Sequence, residues 1–188
     1  TMTTIIDHPV ISAKVSQLRC EKTSSANFRR VVQEISVLLV PFATAHFETH
    51  NTEIKTPIET SEFPVITKPI VLVPILRAGL GLLEGFHSVL PEASVAHIGM
   101  ARNEETLEPE TYYFNAPQDL NGTEIIVLDP KLATGGSANA SISEPKAKGD
   151  KNITFFRILS DPDAPITLAE AQPDSQIFTA TPNRQLNN

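Results

Sequence analysis

Ile70-Val71-Leu72-Val73-Pro74-Ile75-Leu76-Arg77-Ala78-Gly79-Leu80-Gly81 reads as a buried strand that runs into a thin turn. Apart from its proline, the run up to Leu76 is apolar without a break, as a strand covered on both faces must be. Glycines at 79 and 81 keep the following turn thin, and the pattern predicts a helix from about Leu82 to Leu90. Strand and helix signals then alternate. Strands are predicted over Val95 to Met100, Glu124 to Leu128, Ile153 to Leu159 and Ile177 to Thr181. Helices are predicted over Ser137 to Lys148 and Ile166 to Ala171. Such alternation predicts an α/β fold, a mainly parallel sheet flanked by helices, in one domain spanning residues 1–188.

Upstream, the sequence predicts a helical N-terminal region. Val10, Lys14, Val15 and Leu18 suggest a short helix, and Ser24 or Ser25 can cap a second. Phe28, Val31, Val32, Ile35, Leu38, Leu39 and Phe42 recur at helical spacing and should form its packing face. Thr52 to Glu59 alternates loosely, with Pro57 near its end, and reads as an edge strand or hairpin arm.

The bulk composition narrows the function classes. The chain has 188 residues, a formal net charge of −7 and no long basic run, which argues against nucleic acid or an anionic membrane as its partner. A single cysteine, Cys20, excludes an intrachain disulfide and a cysteine-rich metal site, and it reads as a half-buried thiol near a helix end. No stretch approaches a membrane span, and the opening Thr1-Met2-Thr3-Thr4 lacks a signal-peptide pattern. A cytoplasmic location is the expectation, with Thr1 read as an added residue.

In parallel sheets, ligands bind beyond the carboxyl ends of the strands. Three segments fall there. Arg77 follows the Ile70 strand, in a loop where a guanidinium fork suits a diphosphate. Arg102-Asn103-Glu104-Glu105-Thr106-Leu107-Glu108-Pro109 follows the Val95 strand and is expected to form a flexible hood over residues 101–115. Leu128-Asp129-Pro130-Lys131-Leu132-Ala133-Thr134-Gly135-Gly136-Ser137 follows the third strand. Its glycines permit a turn whose N–H groups, with those of Thr134 and Ser137, can converge on one anion. Asp129 stands before that cradle, where it can accept hydrogen bonds from sugar hydroxyls. An acid for a ribose and a cradle for its 5′-phosphate suggest a phosphoribosyl site. Each segment alone also fits a plain polar loop; their combination is what carries the reading.

Taken in order, Val73 to Gly81, Gly99 to Leu107 and Asp129 to Ser137 resemble the successive signatures of the uracil phosphoribosyltransferase family. His8-Pro9 and the helical N-terminus also resemble that family's opening, and the similarity runs from about residue 7 to residue 188. The resemblance implies transfer of ribose 5-phosphate from 5-phospho-α-D-ribose 1-diphosphate to uracil, giving UMP and diphosphate. It implies Asp129 and Arg102 as catalytic residues. It implies Arg77 and Arg102 on the diphosphate, Asp129 on the ribose hydroxyls, and the turn from Pro130, Lys131 and Leu132 through Ala133, Thr134, Gly135, Gly136 and Ser137 around the phosphate. Mg²⁺ is expected on substrate oxygens, with no dedicated protein ligand. A homodimer or higher homo-oligomer and a nucleotide effector are further expectations. The alternative reading is a non-catalytic homologue that binds phosphoribosyl diphosphate or a nucleotide.

The chain departs from the family pattern at several points. Lys131 stands where the family has methionine, Pro145 falls in the helix expected after Ser137, and Arg157 interrupts an apolar strand. After Thr181 the chain runs Pro182-Asn183-Arg184-Gln185-Leu186-Asn187-Asn188, without the glycine-rich segment that binds uracil in the family. Three explanations stand side by side: a piece of a longer chain, a diverged homologue that kept the phosphoribosyl site, or partly mis-assigned residues. The 188 residues alone are expected to bind phosphoribosyl diphosphate and to make little UMP.

Overall fold

The computed structural model describes residues 2–20, 22–76, 79–102, 104–106, 109–115, 122–129, 131–132, 153–160 and 176–182. Its strands are β1 (Met2–Ile5), β2 (Thr49–Lys55), β3 (Thr60–Ile66), β4 (Ile70–Leu76), β5 (Ser94–Val95), β6 (His97–Arg102), β7 (Pro109–Asn115), β8 (Glu124–Leu128), β9 (Lys131–Leu132), β10 (Ile153–Ser160) and β11 (Gln176–Pro182). Its helices are α1 (Pro9–Arg19), α2 (Ser25–Thr44) and α3 (Gly79–Val89). The predicted helices over 137–148 and 166–171 lie outside the described residues, as does Pro145.

The main sheet has the order β1-β11-β10-β8-β4-β6-β7, with β5 also on β4 and β9 on β10. All of its pairings are parallel except β6 with β7. On one face, Leu72, Ile126, Leu128, Phe156 and Phe178 pack with α1, α2 and α3. On the strands' alternate positions, Val71, Val73, Ile125, Val127 and Phe155 are equally buried. Both faces of the central strands are therefore out of water, which is why they read as unbroken apolar runs.

Local chemistry explains the helix ends. The Ser24 hydroxyl accepts from the Asn27 N–H at 3.2 Å and caps α2, and His8 Nδ1 accepts from the Val10 N–H at 3.2 Å and caps α1. Lys14 Nζ lies 2.6 Å from Glu34 Oε2 and ties α1 to α2; that hydrogen bond holds the Glu34 carboxyl below its usual range. Val31, Val32, Ile35 and Leu39 form the buried stripe of α2 as predicted. Phe28 and Phe42 do not: they are 45% and 40% exposed, Phe28 in the first turn of α2 and Phe42 at the edge of a buried stripe that continues through Val40 and Ala43. Ser36 is buried instead, its hydroxyl satisfied by the Val32 carbonyl of its own helix at 2.7 Å. Cys20 is exposed at the C-cap of α1, not half-buried, because the chain turns outward there.

Other differences are topological. The predicted strand from Val95 to Met100 is divided at Ala96, which still donates its N–H to the Leu72 carbonyl at 2.9 Å. The arm expected over residues 52–59 is a hairpin, β2 on β3, whose turn contains Pro57. Met2–Ile5, polar and short, forms an edge strand parallel to β11. α3 begins three residues earlier than expected, so Gly79 and Gly81 lie within its first turn rather than in a loop.

At the junction of α2 with the sheet, His46 stacks on Phe178 at 6.0 Å and meets the edge of Phe47 at 4.9 Å. Its Nε2 lies 3.1 Å from the Thr154 hydroxyl. Partial burial of the ring lowers its pKa.

Thr179 on β11 is 1% exposed, and its hydroxyl is the one buried side-chain oxygen without a partner among the described residues. An unpaired buried hydroxyl costs free energy that a methyl group of the same shape does not. Thr179→Val should therefore raise the unfolding free energy by about 1 kcal/mol or more. Urea denaturation measures this, and a destabilised variant would show that the hydroxyl has a compensating contact.

Candidate active site at the strand ends

The chain's route through the sheet creates one crevice. From β4 it passes through α3 to β6 on one side, then returns to form β8 on β4's other side, and continues outward to β10 and β11. The direction of winding reverses between β4 and β8. Side connections there lead away from each other and leave space beyond the carboxyl ends, where open α/β sheets take their ligands.

Three adjacent strands deliver the candidate residues to that end. β8 ends at Leu128 and delivers Asp129. β4 ends at Leu76, one residue before Arg77. β6 ends at Arg102 itself. The strands stand in the order β8-β4-β6, with neighbours about 4.8 Å apart. Asp129, Leu76 and Arg102 thus follow one another across the sheet. Arg77 itself lies outside the described residues.

Asp129 is 8% exposed, and its N–H donates to the Phe156 carbonyl at 3.0 Å. That bond continues the β8–β10 ladder one residue past the strand, so the backbone under the carboxylate is held by the sheet. Leu128 is in register with Pro74, which places Asp129 level with Ile75.

Arg102 stands higher. Gly99 is level with Leu76, so Arg102 extends roughly 10 Å beyond the end of β4 at about 3.3 Å per residue. It can stand there because β7 supports it: Arg102 is in register with Pro109, and the pair runs down to His97 and Asn115 with a shift between Gly99 and Met100. The hood expected over residues 101–115 thus takes the form of an antiparallel hairpin, with the connection confined to residues between Arg102 and Pro109. The sequence did not announce β7, because its partner precedes it by a polar segment that reads as loop.

The phosphate turn is only partly described. Lys131 and Leu132 were read as part of the glycine-rich cradle. They form the two-residue strand β9, parallel to Leu159 and Ser160 of β10. A proline at 130 offers no N–H to the ladder, which separates β9 from β8. Pro130, Ala133, Thr134, Gly135, Gly136 and Ser137 lie outside the described residues. Among the described residues, no group of three or more His, Cys, Asp or Glu converges as a metal cage.

Gly79, expected only to keep the turn after β4 thin, makes a close approach to the sheet. It is the first residue of α3 and backs onto the Leu128 carbonyl, beside Asp129. Its only signal in the sequence is the pair of glycines two residues apart.

Comparison with known proteins agrees with this geometry. The family profile described as Uracil phosphoribosyltransferase matches residues 5–188. A curated protein of that name from Mesorhizobium japonicum is 46% identical over 185 residues, 98% of this chain and 88% of its own length. The solved structure of the AQ2163 protein from Aquifex aeolicus superposes with a TM-score of 0.91 at 34% identity, covering 100% of this chain and 90% of that one. A purine phosphoribosyltransferase from Pyrococcus horikoshii shares the fold, with a TM-score of 0.50 at 15% identity over 85% of this chain and 89% of its own. With a profile match over nearly the whole chain and a relative 46% identical over 98% of it, this chain belongs to the uracil phosphoribosyltransferase family.

Proposed function

We propose that this protein transfers ribose 5-phosphate from 5-phospho-α-D-ribose 1-diphosphate to N1 of uracil, yielding UMP and diphosphate. The observation that carries the proposal is the placement of Asp129 and the two arginine-bearing segments on adjacent strand ends at the β4/β8 crevice, in a chain of this family. Uracil N1 forms the new bond to C1 of the ribose and gives up its proton, while the C1–O bond to diphosphate breaks. Positive charge develops on the sugar ring and negative charge on the leaving diphosphate. In this reading Asp129 is the group that offsets the first, and Arg77 and Arg102 are the groups that offset the second. Residues 133–137 are the proposed 5′-phosphate cradle.

A Mg²⁺ ion fits this donor set. It is commonly held by one or two carboxylates plus substrate oxygens and waters, and Asp129 is the carboxylate at the strand ends. When bound, the ion neutralises charge on the diphosphate. The test of the function is conversion of radiolabelled uracil to UMP in the presence of phosphoribosyl diphosphate and Mg²⁺. Absence of UMP in a chain that binds phosphoribosyl diphosphate would favour the non-catalytic alternative.

The role of Arg77 can be separated from that of Asp129. Arg77→Ala should weaken phosphoribosyl diphosphate by about 1.5–3 kcal/mol, the worth of a charge-assisted hydrogen bond, and leave ribose 5-phosphate nearly unchanged. Calorimetry with both ligands decides; equal losses would remove Arg77 from the diphosphate.

We also propose a homo-oligomer. The β2–β3 hairpin supports this: Ile54, Ile58, Phe63 and Ile66 on it are all at least 40% exposed. A lone two-stranded hairpin is marginal in water, so a partner surface is expected on it. Sedimentation velocity of the parent and of Ile58→Glu/Phe63→Glu tests it: a monomeric parent sinks the idea. No described helix is long and apolar enough to cross a membrane, and a cytoplasmic location is the reading we adopt.

A further inference from the structure

β4 lies inside the sheet, with β8 on one side and β5 and β6 on the other, yet it carries a proline at position 74. A proline in an interior strand withholds an N–H from the ladder. Register decides which neighbour loses that bond. Successive residues of a strand turn their N–H and C=O groups to opposite sides. The Leu72 carbonyl accepts the Ala96 N–H at 2.9 Å, so residue 72 faces β5 and β6. Residue 74 faces the same way, and residues 73 and 75 face β8. The β8 ladder accordingly runs past the proline without a break, from Ile70 opposite Glu124 to Pro74 opposite Leu128.

On the other side the ladder is interrupted at that position. Val71 and Leu72 pair with Ser94 and Val95, and Ile75 and Leu76 pair with Ile98 and Gly99. The offset is the same below and above the gap, so the strands have not slipped. What is missing is the bond that an N–H on residue 74 would make to the Ala96 carbonyl. That is why the strand divides at Ala96 into β5 and β6. Ala96 and Ile98 are fully buried, so the division is not fraying at a wet edge.

The gap bears on the two sides of the crevice differently. β8, which delivers Asp129, is laddered to both β4 and β10. β6, which ends in Arg102, joins β4 above the gap through the short stretch at Ile75 and Leu76, and beyond that it pairs with β7. A register shift between Gly99 and Met100 follows directly. The β6–β7 hairpin is thus an arm on a short ladder, with the proline gap beneath it. We infer that Pro74 is a positioning residue for phosphoribosyl transfer: by withholding its N–H from the β6 side alone, it leaves this arm free to swing on the end of β4, carrying Arg102 toward the crevice and away from it while the backbone of Asp129 stays fixed. The inference rests on the proposed phosphoribosyl diphosphate site.

The experiment compares Pro74→Val and Pro74→Ala with the parent. Each variant restores an N–H that can reach the Ala96 carbonyl. Amide exchange is followed by NMR at Ile98 and Met100, whose N–H groups the register directs to the Pro74 and Leu76 carbonyls, and at Leu128, whose N–H it directs to the Val73 carbonyl. In the parent, Ile98 and Met100 should be less protected than Leu128. In the variants their protection should rise by about twofold to tenfold, the factor expected from one added backbone hydrogen bond, with a smaller change at Leu128. UMP formation at saturating substrates should slow by a similar factor, because a bonded arm opens less often. A parent that makes no UMP overturns the proposed function and the inference together. An active parent in which Ile98 and Met100 are as protected as Leu128 overturns the inference alone, and that measurement needs no variant to fold. Folded variants overturn it too if protection rises equally at all three amides or not at all, or if it rises at Ile98 and Met100 while UMP forms at the parent's rate.

Discussion

Asp129→Asn should form UMP about 100-fold or more slowly than the parent at saturating substrates, the scale seen when one preorganised electrostatic contact to developing charge is removed. The substitution keeps the size and planarity of the side chain and removes its charge. The backbone beneath it should not move, because the residue-129 N–H to Phe156 carbonyl bond does not involve the side chain. The effect therefore reports on chemistry rather than on folding. Asp129 is 8% exposed, so water screens its charge less than it would screen that of a surface carboxylate, and the loss of that charge is felt at the sugar. Steady-state rates with radiolabelled uracil measure it, alongside a melting curve for the variant. A rate close to that of the parent would take Asp129 out of the reaction.

Phe156→Ala should cost about 3–5 kcal/mol of stability, the range for truncating a fully buried aromatic residue. Phe156 is 0% exposed on β10, and its ring lies 5.2 Å from that of Phe86 on α3, tilted by 57°. The pair joins the sheet to the helix that follows β4, and Phe86 is itself 0% exposed. Neither ring has water to replace it, so removal leaves a cavity as well as losing apolar burial. For a chain of this length the melting temperature should fall by roughly 10 °C or more. Urea unfolding gives the free energy directly. A loss below about 1 kcal/mol would mean that the layers repack freely around the site, contrary to the behaviour of close-packed cores.

The two effects test different levels of the same architecture. Phe156 contributes its ring to the core and its carbonyl to Asp129. The first is a side-chain role and the second is not, so Phe156→Ala should weaken the fold without removing the hydrogen bond that holds residue 129.

Several features of this protein were determined by the sequence alone. The runs Ile70–Leu76 and Glu124–Leu128 read as buried strands because they are short, rich in Val and Ile, and followed by turn signals. Arg77 and Asp129 follow such runs, and in a parallel sheet the residues after a strand share one end with those after every other strand. That both would fall at one end of the sheet was therefore an expectation open to the sequence alone. So was the α2 stripe of Val31, Val32, Ile35 and Leu39, since helical spacing alone selects a face. The tertiary structure decided what depends on neighbours distant in sequence. It placed β8, β4 and β6 side by side, and so brought the strand ends at Asp129, Leu76 and Arg102 next to one another. It recruited Met2–Ile5 to β11 and raised Pro109–Asn115 against β6, although neither segment carries an aliphatic run like those of β4 and β8. It left Phe28 and Phe42 of α2 largely exposed. It also gave Gly79 its meaning, since a missing side chain marks a close approach only when the atoms it would strike, here the Leu128 carbonyl and the Pro74 backbone, are brought there by other parts of the chain. Periodicity and turn chemistry act over a few residues and can be read along the chain; strand order and close contact are set by the packing of the whole sheet.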